Sequence, residues 1–330
     1  MSVLSRRPGL RVGLLLTPPM LWLGVAYLGA LGALLFTSLW TQDDFTGNIQ
    51  RVWTLENFQD LFTIDDRVYG CAAGHRFDRA RQGYLTLLPP RAPRTVGDDR
   101  EMLAARSALL DSGAYSPIAS AITDVVTAFP PRASGATVRI ADLACGTGYY
   151  SATIARAVPD AAILLADRSP DAVRVSLRAL PAATGVVLDL WRPLPIRDGV
   201  VDVALNVFAP RNGAEFSRVL GPNGRLVVVV PGEAHLQELR RSGSVLEVPA
   251  GKADRVGEQL HAFGFEPAST TSIQYQLDTD AATRGLLAAM GPSAHHVDSL
   301  SPAEASGDVR TDVTIAVDLL VFARSSASST

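Results

Sequence analysis

Cysteine is scarce in this chain of 330 residues: Cys71 and Cys145 are the only two. Two thiols exclude a disulfide framework and give no argument for an oxidising compartment. Histidine is little commoner, at His75, His235, His261, His295 and His296. Cys71 and His75, with three residues between them, look like half of a zinc site, yet no Cys or His precedes them. A structural zinc takes four ligands in tetrahedral geometry, so this pair alone does not close one. Lysine is rarest of all. Lys252 stands alone among 30 basic residues, the rest arginine, which we read as coding bias. A net charge of −3 gives no global attraction to nucleic acid, so any RNA site has to be local.

Charge is also missing from Val12 to Trp40, "VGLLLTPPMLWLGVAYLGALGALLFTSLW". Pro18 and Pro19 suit the start of a helix, where a missing N–H costs nothing. A helix from Pro19 to Trp40 would be about 33 Å long, enough to cross a hydrocarbon core of about 30 Å. Gly24, Gly29 and Gly32 would give it a small-residue face for packing on another helix. Arg6, Arg7 and Arg11 precede it and Asp43 and Asp44 follow, which keeps the N-terminus cytoplasmic and sends the rest across. A cleaved signal peptide fits less well, because the apolar run is too long. Trp53 to Phe62, "WTLENFQDLF", reads as a short amphipathic helix. With "LLLTPPMLWL", it makes residues 1–64 resemble the first membrane helix and following segment of a polyamine-type ABC transporter permease. No later stretch supplies the further spans a permease needs.

At 47% hydrophobic, the chain can build a full core. From Thr137 onward, apolar runs alternate with helical stretches. "TVRIADLACGTGYYSATIARAV" reads as strand, glycine loop and helix, and "AAILLADRSPDAVRVSLRAL" repeats strand and helix. "GVVLDLW", "VVDVALNVFAP" and "GRLVVVVPG" are further strands, with a short helix at Glu215 to Leu220. "STTSIQYQLD" and "VTIAVDLLVFAR" add strands at one edge. Repeated βα units predict an α/β fold, a parallel sheet covered by helices.

The loop Asp142–Gly148, "DLACGTG", carries the chemistry. Gly146 and Gly148 let backbone approach a ligand, and Asp167, at the close of the next strand, can accept from two ribose hydroxyls. A nicotinamide enzyme has the same layout. Three details favour S-adenosylmethionine: the spacing is not G-x-G-x-x-G, Asp142 stands before the loop to hold a methionine end, and Asp189 ends the third strand, facing an adenine amino group. Cys145 has no histidine near it in sequence to activate it and reads as a small packing residue.

Several motifs in order resemble one family, the 23S rRNA guanine-N1 methyltransferases, in its macrolide-resistance branch. They are Cys71, His75 and "FDRARQGYLTLLPP"; "MLAARSALLDSGAYSPI"; "DLACGTGYY"; "LNVFAPRN"; "PGEAHLQEL"; and "AAMGPSAHH". The resemblance runs from about Tyr69 to Arg324. It implies a Rossmann-like class I SAM-dependent methyltransferase fold preceded by a truncated zinc ribbon and, here, by one N-terminal transmembrane helix. The resulting domains are a leader over 1–65, a ribbon remnant with helical linker over 66–110, and the methyltransferase domain over 111–330. Cys71 and His75 match the second zinc pair; the first pair and its strands are replaced, with the junction near Thr63 to Val68, so no stable zinc is expected.

For the cofactor, S-adenosylmethionine, the resemblance implies Tyr115, Gly146, Thr147, Asp167 and His235. Ala144 stands where many such enzymes have the first loop glycine. Asn206, Pro210 and Arg211 in "NVFAPRN" are the expected catalytic residues, facing guanine, and His295 and His296 would border its pocket. Arg76, Arg79, Arg81 and Tyr84, with Phe77, Arg91 and Arg94, form a basic and aromatic patch suited to RNA. The implied partners are 23S rRNA and, through the leader, a membrane, and the resemblance allows a homodimer. An active catalytic domain would be cytoplasmic, against the topology of the leader. The competing readings are a membrane-anchored small-molecule methyltransferase and a non-functional permease–methyltransferase fusion.

Overall fold

A computed structural model describes residues 40–42, 49–53, 62–65, 68–70, 76–88, 98–129, 136–246, 248–290 and 310–325. Residues 1–57 and 58–330 form two separate compact units. In the first, β1 (Trp40–Gln42) and β2 (Ile49–Trp53) form an antiparallel pair with Trp40 opposite Trp53. The expected membrane helix lies outside the described residues except at its end, and that end, Trp40, is strand. Among the described residues no helix is long and apolar enough to cross a membrane. The expected helix Trp53–Phe62 is strand at both ends, since Trp53 closes β2 and Phe62 opens β3. Trp53 and Phe62 are residue types enriched in strands.

The second unit begins with a three-stranded antiparallel sheet: β3 (Phe62–Asp65), β4 (Val68–Gly70) and β5 (Arg76–Asp78). A strand upstream of Val68 is therefore present, where the reading of a lost half-ribbon expects none. Cys71 and His75 lie between β4 and β5, outside the described residues.

The main sheet has eight strands. They are β6 (Leu85–Thr86), β7 (Arg139–Leu143), β8 (Ala162–Asp167), β9 (Thr184–Val187), β10 (Val201–Val207), β11 (Leu220–Pro231), β12 (Phe265–Thr279) and β13 (Thr311–Arg324). Their order is β12-β13-β11-β10-β7-β8-β9-β6. β6 to β11 pair parallel; β13 runs antiparallel to β11, and β12 to β13. This is the expected Rossmann-like arrangement with an antiparallel pair of strands, β12 and β13, at one edge. The apolar runs become strands buried on both faces, as parallel strands are: Val201 to Asn206 and Leu226 to Val230 are all buried.

The helices are α1 (Arg100–Asp111), α2 (Ser116–Thr127), α3 (Tyr149–Ala157), α4 (Pro170–Ala179), α5 (Gly213–Val219), α6 (Gln237–Arg241), α7 (Lys252–His261) and α8 (Ala281–Ala289). The expected linker helix is broken in two. Gly113 turns left-handed with φ 82°, and Pro117 restarts the chain in the first turn of α2. α2 lays Ile118, Ile122 and Val126 into a core shared with Ile154 of α3, Leu165 of β8, Leu205 of β10 and Val227 of β11. β6 was not foreseen: it comes from the linker yet forms the outer strand beside β9, extended by Leu87 N–H donating to Val187 O at 2.8 Å.

Candidate active site

Parallel pairing brings the carboxyl ends of β7, β8, β10 and β11 to one edge of the sheet, the position where open α/β sheets take ligands. After β7 the chain turns through Ala144, Gly146 and Gly148, all at positive φ (81°, 53° and 76°). Only two of these are glycine, so Ala144 is held in a conformation that costs a residue with a Cβ about 1 kcal/mol. A Cβ at Gly148 would lie 2.6 Å from Ser176 Cβ, so α3 starts directly against α4.

Two carboxylates brace the loop from below and beside. Asp142 is buried and accepts from Ser151 Oγ at 2.6 Å. Burial pushes its carboxyl up to about 7, with the Ser151 bond opposing and nearby Asp167 adding. Asp167 accepts from Gly146 N–H at 3.0 Å and from Ser169 N–H at 2.9 Å, one bond on each oxygen. Burial raises it too, against those two bonds. Each oxygen keeps a second lone pair, which leaves room for two hydroxyl donors. Asp189 lies two residues beyond the end of β9 rather than ending it. Its Oδ2 pairs with Arg168, and its Oδ1 accepts from Trp191 N–H at 3.1 Å. Thr147 is buried in the loop. Cys145 is buried with Ser176 at 3.5 Å, and burial pushes its thiol well up, as a packing residue requires.

Across the edge, three rings meet. Phe208 stacks on His235 with centroids 6.3 Å apart and planes at 21°. Tyr115 meets both edge-on at 6.4 Å. Tyr115 is buried with no partner for its hydroxyl, and burial raises that hydroxyl strongly. His235 Nδ1 accepts from Ala316 N–H at 3.2 Å, which assigns the remaining imidazole proton to Nε2. Burial, then Arg240 and Lys252, lower His235 to about 4, so the ring is neutral. Asn206 is wholly buried at the end of β10. Its Nδ2 donates to Pro210 O at 2.8 Å, while its Oδ1 has no partner. Pro210 is exposed, and Arg211 donates to Ala209 O at 3.2 Å. Tyr115 and His235 thus meet through their rings, and the parallel pairing of β10 with β7 sets Leu205, the residue before Asn206, opposite Asp142.

Sequence reasoning missed Phe208, which carries φ 53° and is 42% exposed. It also missed the 67% exposed Trp191 and the half-buried Arg106. An exposed indole beside the third strand was visible as "DLW"; nothing local marks the other two.

The family model described as "RlmA, N-terminal", a zinc ribbon, matches residues 59–94, and "Methyltransferase small domain" matches residues 120–188. The 23S rRNA (guanine(748)-N(1))-methyltransferase of Streptomyces fradiae is 43% identical over 71% of this chain and 82% of its own length. The chain belongs to the 23S rRNA (guanine-N1)-methyltransferase family. A relative from Micromonospora griseorubida, provisionally named for the same activity, is also 43% identical, over 70% of this chain and 81% of its own. One from Bacillus subtilis, likewise provisional, is 31% identical over 51% and 59%.

In this methyltransferase the ribbon match starts at residue 59, ahead of the expected junction. Within and before that match, Cys71 and His75 are the only Cys or His, so the donor set does not fit a four-ligand zinc built from those residue types. Of the expected RNA patch, Arg79 and Arg81 are exposed on the turn after β5, with Arg79 Nε donating to Gly83 O at 3.0 Å. Tyr84 is half-buried against the core, which leaves less of its ring for stacking. Arg76 lies in β5; Arg91, Arg94, His295 and His296 lie outside the described residues.

Proposed function

We propose that this chain methylates N1 of a guanosine in 23S rRNA, with S-adenosylmethionine as donor. The observation that carries the reading is the pairing, at one sheet edge, of a carboxylate-pinned glycine loop with two buried polar atoms that lack partners, Tyr115 Oη and Asn206 Oδ1. Buried polar groups are normally satisfied, so such a pair marks where a ligand completes the bonding. S-adenosylmethionine, when bound, supplies an electrophilic methyl on a sulfonium. Asp167 holds the ribose hydroxyls, Gly146 and Gly148 admit the chain of the cofactor, and Tyr115 and His235 Nε2–H donate to it. Asp189, already paired with Arg168, borders the adenine without its carboxylate being open to it.

On the acceptor side, Asn206 Oδ1 takes a guanine-edge N–H, Pro210 shapes the wall and Arg211 holds O6 or a phosphate. The exposed face of Phe208 is set to stack on a base that has left its helix. N1 must lose a proton as the new N–C bond forms. His235 is not its acceptor, because the Ala316 N–H already occupies the lone pair of Nδ1 and Nε2 carries hydrogen. Holding N1 in line with the methyl–sulfur bond is chiefly an orientation effect. Arg79 and Arg81 extend the RNA contact toward the ribbon. Because the substrate is ribosomal, the working catalytic domain is cytoplasmic, and macrolide resistance is the phenotype to examine.

The test is incubation of the full chain with labelled S-adenosylmethionine and unmodified 23S rRNA, with primer extension to map the product. A stop at one guanosine is expected, and the nucleotide equivalent to guanine 748 in the name of the S. fradiae relative is the first to inspect. Transfer to small molecules with none to rRNA would instead favour the small-molecule reading.

A further inference from the structure

Arg106 reaches from α1 over the cofactor loop. A Cβ placed at Gly146 would lie 3.3 Å from its Nη1. That guanidinium is held from two sides: Nη1 donates to Asp98 Oδ2, and Nη2 to Met290 O, just past α8, at 2.7 Å. Both side chains of the ion pair are 24% exposed, so the pair is sheltered yet reachable. Ser169 Oγ donates to Asp98 O at 2.8 Å, which fastens Asp98 beside the first turn of α4, two residues from Asp167.

We infer that the Asp98–Arg106 pair is the subsite for the amino-acid end of S-adenosylmethionine, Arg106 taking its carboxylate and Asp98 its ammonium. The inference rests on the cofactor reading above and adds residues that reading does not contain. Three observations support it. The amino-acid end is a zwitterion, and an Asp–Arg pair offers both complementary signs side by side. A guanidinium has five N–H donors in a fork that matches a carboxylate, and the bonds to Asp98 and Met290 engage two of them. The residue expected to hold the methionine end, Asp142, is instead buried beneath the loop and bonded to Ser151. Burial holds its carboxyl near 7, which makes it a poor fixed counter-ion. Arg106 is also among the groups that oppose the burial-driven rise of Asp167, as a cation over that loop must.

Calorimetric titration of the full chain with two nucleosides separates this subsite from the rest of the pocket. S-Adenosylhomocysteine carries the amino-acid end; 5′-methylthioadenosine lacks it. Arg106→Gln and Asp98→Asn are each expected to weaken S-adenosylhomocysteine about 10- to 100-fold while 5′-methylthioadenosine stays within about two-fold. Arg106→Lys, which keeps charge and loses the fork, should fall between. Equal weakening of both nucleosides would overturn the subsite in favour of a purely structural role, and so would no change in either. A wild-type chain that binds neither nucleoside would sink the cofactor reading itself.

Discussion

At the scale of single residues, Ala144 is where the loop chemistry and the backbone disagree. Its φ of 81° belongs to glycine, and the neighbouring loop positions with positive φ are glycine. Ala144→Gly should raise unfolding stability by about 0.5–1 kcal/mol, the left-handed cost net of glycine's extra chain entropy. A urea midpoint that stays put or falls would contradict this. His235 and Asp142 make a second prediction through pH. His235 stands at about 4 against an ordinary 6.5, so the unfolded ring takes a proton that the folded one refuses. Its share of stability rises with pH across that window and is complete above it. Asp142 stands at about 7 against 3.8, so the folded carboxyl keeps a proton the unfolded one gives up, and its share falls as pH rises through the same range. The two slopes oppose each other. His235→Gln should expose the falling slope: the wild-type advantage over the variant grows from pH 4 to 6.5 by roughly 2–3 kcal/mol. Denaturant titrations at several pH values would show it, and parallel curves would refute it. The loop acids were legible in sequence because they sit at strand ends, where local pattern places them. Arg106 and Phe208 were not, because one acts through a helix packed by distant contacts and the other through a backbone angle that no neighbouring residue announces.

At the scale of elements, the start of α3 is the tightest junction. Its cap, Gly148, has φ 76° and its Cα faces Ser176 of α4, with only 2.9 Å from a would-be Cβ to Ser176 Cα. Gly148→Ala therefore forces α3 and α4 apart and should cost at least about 2 kcal/mol, with loss of cofactor affinity. Thermal unfolding and nucleoside titration on the same sample would check both. The alternation of strand and helix from Arg139 to Pro231 was readable because buried parallel strands are nearly unbroken apolar runs. β6 was not, since two residues carry no periodicity and its partner β9 lies about a hundred positions away. The uncharged run of the leader argues helix by composition; all of it but Trp40 lies outside the described residues, and Trp40 is strand, opposite Trp53.

At the scale of the whole molecule, the division after Asn57 and the ribbon match from residue 59 coincide. A chain beginning at Phe58 should keep the melting temperature of the second unit and its nucleoside affinity. One beginning at Met102 should lose several degrees, because β6 and the Asp98–Arg106 pair go with the deleted segment. Equal melting temperatures for the two truncations would show β6 to be an ornament. The pairing of Leu85–Thr86 with Val186–Val187 has a further consequence, in the order of synthesis. The first of these strands leaves the ribosome well before its partner exists, and a parallel contact so remote in sequence is slow to close. The ribbon segment must then wait, undocked, until β9 has emerged and β7 and β8 have given it a place to lie. The shortest stalled nascent chain in which the N-terminal segment gains protection from proteolysis would be the one long enough for β9 to have cleared the ribosome.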